Sequence, residues 1–172
     1  MTPLDNEQVA AWFAGRLPDD WAIAPPQVDG DRDEIIVTIP LSDPALEEGA
    51  EPEVRATARR ARIDGFRADT RERRMRIARE AERRFGRKVS WAASCGDDTM
   101  LFTHLAAPAM TRLRLPERKV LDTLVDSGVA RSRAQALAWC VQLVAQHEGD
   151  WLEELRQALS RVEELRREGP AA

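Results

Sequence analysis

Tyrosine is missing from this 172-residue chain, and cysteine and histidine occur only twice each. Two cysteines, Cys95 and Cys140, cannot build a disulfide framework, and they point to a reducing, cytoplasmic setting. Two histidines, His104 and His147, leave few candidates for acid–base or zinc chemistry. Cys95 and His104 lie on either side of Asp97 and Asp98, but zinc sites need closer ligand pairs and a second pair, which the sequence does not supply. Cys140, on an apolar helix face, reads as a small core residue. No glycine-rich phosphate loop, nucleophile elbow or His-Glu metal motif occurs. The expectation is therefore a protein that is not an enzyme and takes no cofactor and no metal. Apolar runs fall well short of the roughly 20 residues that cross a bilayer. Acidic residues stand near the N-terminus where a signal peptide carries basic ones. A soluble cytoplasmic protein of one domain, or one domain with a small satellite, is expected.

Charge is plentiful but sorted along the chain. The net charge of −4 conceals 13 acids against 2 bases in residues 1–54, and 14 bases against 5 acids in residues 55–88. Of the 26 basic side chains only Lys88 and Lys119 are lysines, which we read as a compositional bias rather than a functional signal. An acidic chain is ordinarily a poor nucleic-acid binder, yet local basic segments facing one way restore that ability.

Apolar periodicity places the elements. Val9, Trp12, Phe13 and Leu17 recur at helical spacing until Pro18. Pro25-Pro26 opens an extended stretch, and Asp29-Gly30-Asp31 turns it into the β-branched run Ile35–Ile39, bounded by Pro40. Residues 42–52 read as a linker. Residues 54–85 form one long arginine-rich helix, with Gly65 as its candidate break and Gly86 as its C-cap. Asp69 with Arg73, Glu72 with Arg76 and Glu80 with Arg84 stand four apart and are expected to pair along it. Residues 88–94 and 99–105 flank Gly96-Asp97-Asp98 as a hairpin ended by Pro108.

Beyond Pro108 the pattern sharpens. Met110-Thr111-Arg112-Leu113-Arg114-Leu115 alternates, with Thr111, Leu113 and Leu115 on one side and Met110, Arg112 and Arg114 on the other. Pro116 sits at a first helical turn, Val120, Leu121, Leu124 and Val125 form a stripe, and Ser127-Gly128 closes that helix. Ser132 reads as the N-cap of a helix too apolar for an ordinary surface element, bearing Ala136, Leu137, Cys140, Val141 and Val144. Asp150 with Glu153 resembles a capping box opening a last helix to about Arg167. A single strand with such a helix pair needs a second copy to cover it.

The run from Thr111 to Leu137 resembles the bacterial ribbon-helix-helix DNA-binding proteins. The shared features are an alternating strand ending in Leu115-Pro116-Glu117, then Leu121-Asp122 through Gly128, then Ser132-Arg133 through Ala136-Leu137. The likeness covers about 36 residues, from Met110 to Gln146. The whole chain is also similar to a group of uncharacterised actinobacterial proteins, which implies no function. The first likeness implies a homodimer whose two-stranded ribbon enters the major groove of double-stranded DNA. Met110, Arg112 and Arg114 would then reach base edges, while Arg131, Ser132 and Arg133 at the second helix's start would hold a phosphate.

The expected architecture is α+β: an N-terminal helix/strand region over 1–108 with a long arginine-rich helix and a β-hairpin, a ribbon-helix-helix unit over 109–147, and a C-terminal helix and tail over 148–172. The expected function is that of a sequence-specific DNA-binding protein, a transcriptional regulator. Three plainer readings stand beside it. In the first, the helices are a dimeric protein-interaction module without DNA binding, and Arg112 and Arg114 are edge-strand charge. The arginine-rich helix is read first as a solvated helix held by its own ion pairs, and otherwise as a phosphate- or RNA-binding arm. Residues 1–54 either bind a protein partner or, in the preferred reading, pack against the long helix.

Overall fold

The β-branched run becomes the spine of a four-stranded sheet. The computed structural model describes residues 6–47 and 49–168, and the chain divides into two units, Met1–Pro108 and Ala109–Ala172. In the first unit, β1 (Gln27–Gly30), β2 (Glu34–Leu41), β3 (Lys88–Cys95) and β4 (Asp98–Leu101) lie side by side in chain order. The outer pairings are antiparallel, whereas β2 and β3 run parallel, from Glu34 beside Lys88 to Leu41 beside Cys95. A parallel pair needs a long crossover, and the arginine-rich segment provides it as α2 (Pro52–Asp69) and α3 (Arg71–Phe85), while α1 (Asn6–Arg16) precedes the sheet.

Burial follows the sequence period. Ile35, Val37, Ile39 and Leu41 alternate onto the core side of β2, and Ser90 to Ala93 are buried throughout in β3. Val9 and Phe13 from α1, Ile63 from α2, and Ile77, Ala78 and Ala81 from α3 close over them. Phe13 meets Trp12 and Trp91 edge-on at 4.9 and 5.8 Å, and Trp21 meets Phe66 at 5.4 Å. Residues of the first 54 thus enter the core and also carry ion pairs to the crossover: Arg16 to Glu80 at 2.7 Å, and Asp43 to Arg59 at 2.8 Å.

Several local expectations are corrected. Gly65 does not divide the long helix; Thr70 does, with φ −96° and ψ 0°. A mid-helix glycine costs only about 1 kcal/mol in propensity, whereas the Thr70 hydroxyl donates back to the Phe66 carbonyl, a contact that bends helices. None of the three i,i+4 pairs closes among the described residues, and Glu80 turns to Arg16 instead. Pro40 does not end its strand: β1 reaches only as far as Thr38, so Pro40 lies past it and its missing N–H removes no ladder bond. The hairpin is shorter on its second side than expected, and its two-residue loop has Gly96 at φ 57°. Gly86 does cap α3, at φ 69°.

The second unit is helical, with α4 (Leu115–Asp126), α5 (Arg133–His147) and α6 (Gly149–Glu168). Its buried core is small: Leu121, Ala130 and Ala136, with Leu113, Leu124, Val125, Leu137 and Cys140 packed at the edge. Asp150 and Glu153 do not form the expected box. Glu153 accepts instead from Arg156 and Gln157 further along α6, and the helix starts at Gly149, two residues before the expected first helical residue. No described helix is long and apolar enough to cross a membrane.

Candidate nucleic-acid interface

The expected strand at residues 110–115 is not a strand in the single chain. Residues 110–114 join no ladder, and Leu115 already belongs to α4. The physical reason is a missing partner: the sheet's four strands all lie between Gln27 and Leu101, and none of them extends to this segment. The segment thus joins no ladder, and at its end the Leu113 and Arg114 carbonyls accept from Arg118 instead. Leu113 is half-buried against the Leu121–Ala130–Ala136 core, while Arg112 and Arg114 are exposed and Met110 is 98% exposed. The expected side for Leu115 is not met, since it stands 57% exposed at the start of α4.

What holds this segment in place was not among the expected residues. Arg118, one turn into α4, donates from Nη1 to the Leu113 carbonyl at 2.7 Å. That bond ties the end of the segment to the helix and leaves Arg112 and Arg114 without an ion-pair partner among the described residues. A basic residue five positions after the last strand-like apolar one was the only sequence signal.

The start of α5 is built as a cap. Ser132 is extended, its Oγ accepts from the Gln135 N–H at 3.3 Å, and Gln135 Oε1 accepts from the Arg131 N–H at 2.8 Å. The Ser132-x-x-Gln135 spacing is a readable capping signature. The cap satisfies one first-turn donor, and the N–H groups of Arg133 and Ala134 still point out of the helix start, where an anion is favoured.

Of the three residues expected at a phosphate, Arg131 and Ser132 are exposed, and Arg133 is already engaged. Its Nε and Nη2 donate to the two carboxylate oxygens of Asp122 at 2.6 and 2.7 Å. The Arg133 guanidinium holds the Asp122 carboxyl below the usual carboxylate range, and Asp122 in turn raises Arg133. Asp122 was missed because it lies eleven residues away on the preceding helix, beyond any local spacing rule. Cys95 is buried with its Sγ turned to the Ser42 carbonyl, and His104 is exposed.

Exposed apolar side chains dominate the rest of the unit. Trp139, Val141, Leu143 and Val144 stand out on α5, and Trp151, Leu155, Leu159 and Val162 on α6. Exposed apolar side chains in such number suggest an interaction face on these helices.

The molecule is thus an α+β unit joined to a helical unit with an incomplete core, and the family comparisons divide along the same line. Residues 7–101 match the family described as Rv1265-like protein, N-terminal domain, and residues 114–166 match the Mb1296 C-terminal domain. Uncharacterized protein Mb1296 of Mycobacterium bovis is 54% identical over 167 residues, covering 96% of this chain and 72% of its own length. Uncharacterized protein Rv1265 of Mycobacterium tuberculosis (strain H37Rv) has the same identity and coverage. The chain belongs to the Rv1265-like family. No solved structure matches it. No ribbon-helix-helix family is among these matches, so that resemblance rests on residues 111–137 alone.

Proposed function

We propose that this protein is a dimeric, sequence-specific DNA-binding protein, a transcriptional regulator. In this reading residues 110–114 of two copies pair antiparallel and present Met110, Arg112 and Arg114 to the major groove. The observation that carries it is the segment itself: a stretch that joins no ladder among the described residues, with Leu113 packed against the small core and the arginines on either side exposed. Such a segment supplies an edge for a second identical edge, and the apolar faces of α5 supply the area to hold two copies together. A guanidinium held bidentately to guanine discriminates by about 1–3 kcal/mol per good pair. Ser132 and the α5 N-terminus take a backbone phosphate, with Arg131 beside them and Arg133 available only once released from Asp122.

Selection of bound fragments from a random duplex pool tests the reading. The wild-type chain enriches a two-fold symmetric site, whereas the Arg112→Ala, Arg114→Ala variant keeps its dimeric sedimentation and enriches nothing. A wild-type chain that sediments as a monomer, or that enriches no site, defeats the proposal. The second reading, a dimeric protein-interaction module, is favoured by the apolar residues of α6, which the ribbon does not use. It predicts that the double variant retains every binding partner.

A further inference from the structure

Among the described residues Arg74 is the only charged residue that is buried, at 5% exposed. A buried cation is ordinarily paired with a carboxylate, because desolvating the charge alone is costly. Arg74 has no such partner. Asp69 and Glu72, the acids nearest in sequence, form no ion pair with it; Asp69 instead lines a cleft with Arg73. Its Nε donates to Thr70 Oγ1 at 2.9 Å and its Nη2 to the Arg67 carbonyl at 2.6 Å, both uncharged acceptors. The guanidinium lies over the Phe102 ring, 4.7 Å from its centre. Nη1 has no hydrogen-bond acceptor among the described residues.

The surroundings add charge of the same sign. Arg67 sits over the same ring at 5.6 Å, and Arg71 stands one turn further along the helix, both exposed. Backbone hydrogen bonds from Thr70 to Phe66 and from Arg74 to Thr70 carry the helical spacing across the break, so the three arginines share one side. Burial, with repulsion from Arg67 and Arg71, pushes Arg74 down to about 10, which leaves it charged at neutral pH. A guanidinium held by two uncharged acceptors, flanked by exposed Arg71 and by Arg67, whose Nη2 donates to the Phe102 carbonyl at 3.4 Å, with no acid paired to it, is an arrangement that an anion completes.

We propose that Arg67, Arg71 and Arg74, backed by Phe102, form a binding site for a phosphate group. Three cations suit a tetrahedral dianion better than a single carboxylate, and guanidinium forks match phosphate oxygens bidentately. A small phosphorylated molecule and a nucleic-acid backbone offer the same chemistry. The inference does not rest on the ribbon at residues 110–114.

Thermal unfolding of the full chain tests it, in inorganic phosphate against sodium chloride of equal ionic strength. Phosphate at about a hundred times its Kd raises Tm by roughly 5–10 °C. A second arm adds a short DNA duplex to the Arg112→Ala, Arg114→Ala chain, which removes the ribbon contacts. Protection by inorganic phosphate assigns a small-molecule ligand, and protection by the duplex alone assigns a backbone phosphate. In either case the exposed-residue variant Arg67→Ala, Arg71→Ala loses the protection. Protection in neither arm, or protection undiminished in that variant, overturns the proposal.

Discussion

Neutralising Asp122 should tighten DNA binding. Asp122 holds both Nε and Nη2 of Arg133 at 2.6 and 2.7 Å, so the guanidinium nearest the α5 N-terminus is cancelled at short range. Both side chains are partly exposed, 57% for Arg133 and 42% for Asp122, so the change Asp122→Asn removes a charge without opening a cavity. It frees one cation per protomer, two in the proposed dimer. Each additional phosphate contact steepens the dependence of log K on log salt by about 0.9, so the dimer's slope grows by about 1.8. Between 200 and 50 mM salt, a fourfold dilution, the variant should therefore gain about 12-fold more affinity than the wild type. Fluorescence anisotropy with the selected duplex over a salt series measures it. An unchanged slope, or weaker binding throughout, would refute the argument and leave the pair as a tie between α4 and α5.

The remaining predictions concern the first unit and acid stability. Phe13→Ala removes a fully buried ring that meets Trp12 and Trp91 edge-on, and urea unfolding should show a loss of about 3–5 kcal/mol. Gly96→Ala forces a side chain onto a backbone at φ 57° and drives its Cβ into the Arg59 guanidinium. The backbone conformation alone costs about 1–2 kcal/mol, read as a lower urea midpoint. Asp31, Asp43, Glu80 and Asp122 are all held below their ordinary values, the first by backbone N–H groups and the others by Arg59, Arg16 and Arg133. Lowered folded values mean that their contribution is complete above about pH 4, the ordinary carboxylate range, and is lost as pH falls through the depressed values. Unfolding midpoints measured from pH 7 to 2 should stay level down to that range and then drop; a steady fall beginning near pH 6 would contradict the assignment.

Much of the architecture was legible because it depends on a few consecutive residues. The β-branched run Ile35–Ile39 predicts a strand, and the strand forms, with its alternating burial shown only by the fold. Gly86 after a helical run predicts a C-cap, and Ser132 before an apolar helix predicts an N-cap; both form. The expected ribbon was a different matter. Residues 110–115 carry a strand's alternation, yet a strand is defined by hydrogen bonds to a neighbour, and among the described residues 110–114 join no ladder.

The strand at Ile35–Ile39, the caps at Gly86 and Ser132 and the hairpin at Gly96 were thus settled by the amino-acid order itself, because each reflects torsional and apolar preferences acting within a turn or two. Which charges meet was settled only by folding. The i,i+4 acids and bases of the long helix form none of the pairs their spacing suggests, while Glu80 finds Arg16, Asp43 finds Arg59 and Asp122 finds Arg133 from distant parts of the chain. The burial of Arg74 beneath Phe102 belongs to the same class. Nothing distinguishes it in the sequence from its arginine neighbours; its place depends on a helix bend at Thr70 and on a strand end more than twenty-five residues further along the chain. Coulomb and cation–π energies fall with distance in space, and distance in space is what a list of residues leaves open.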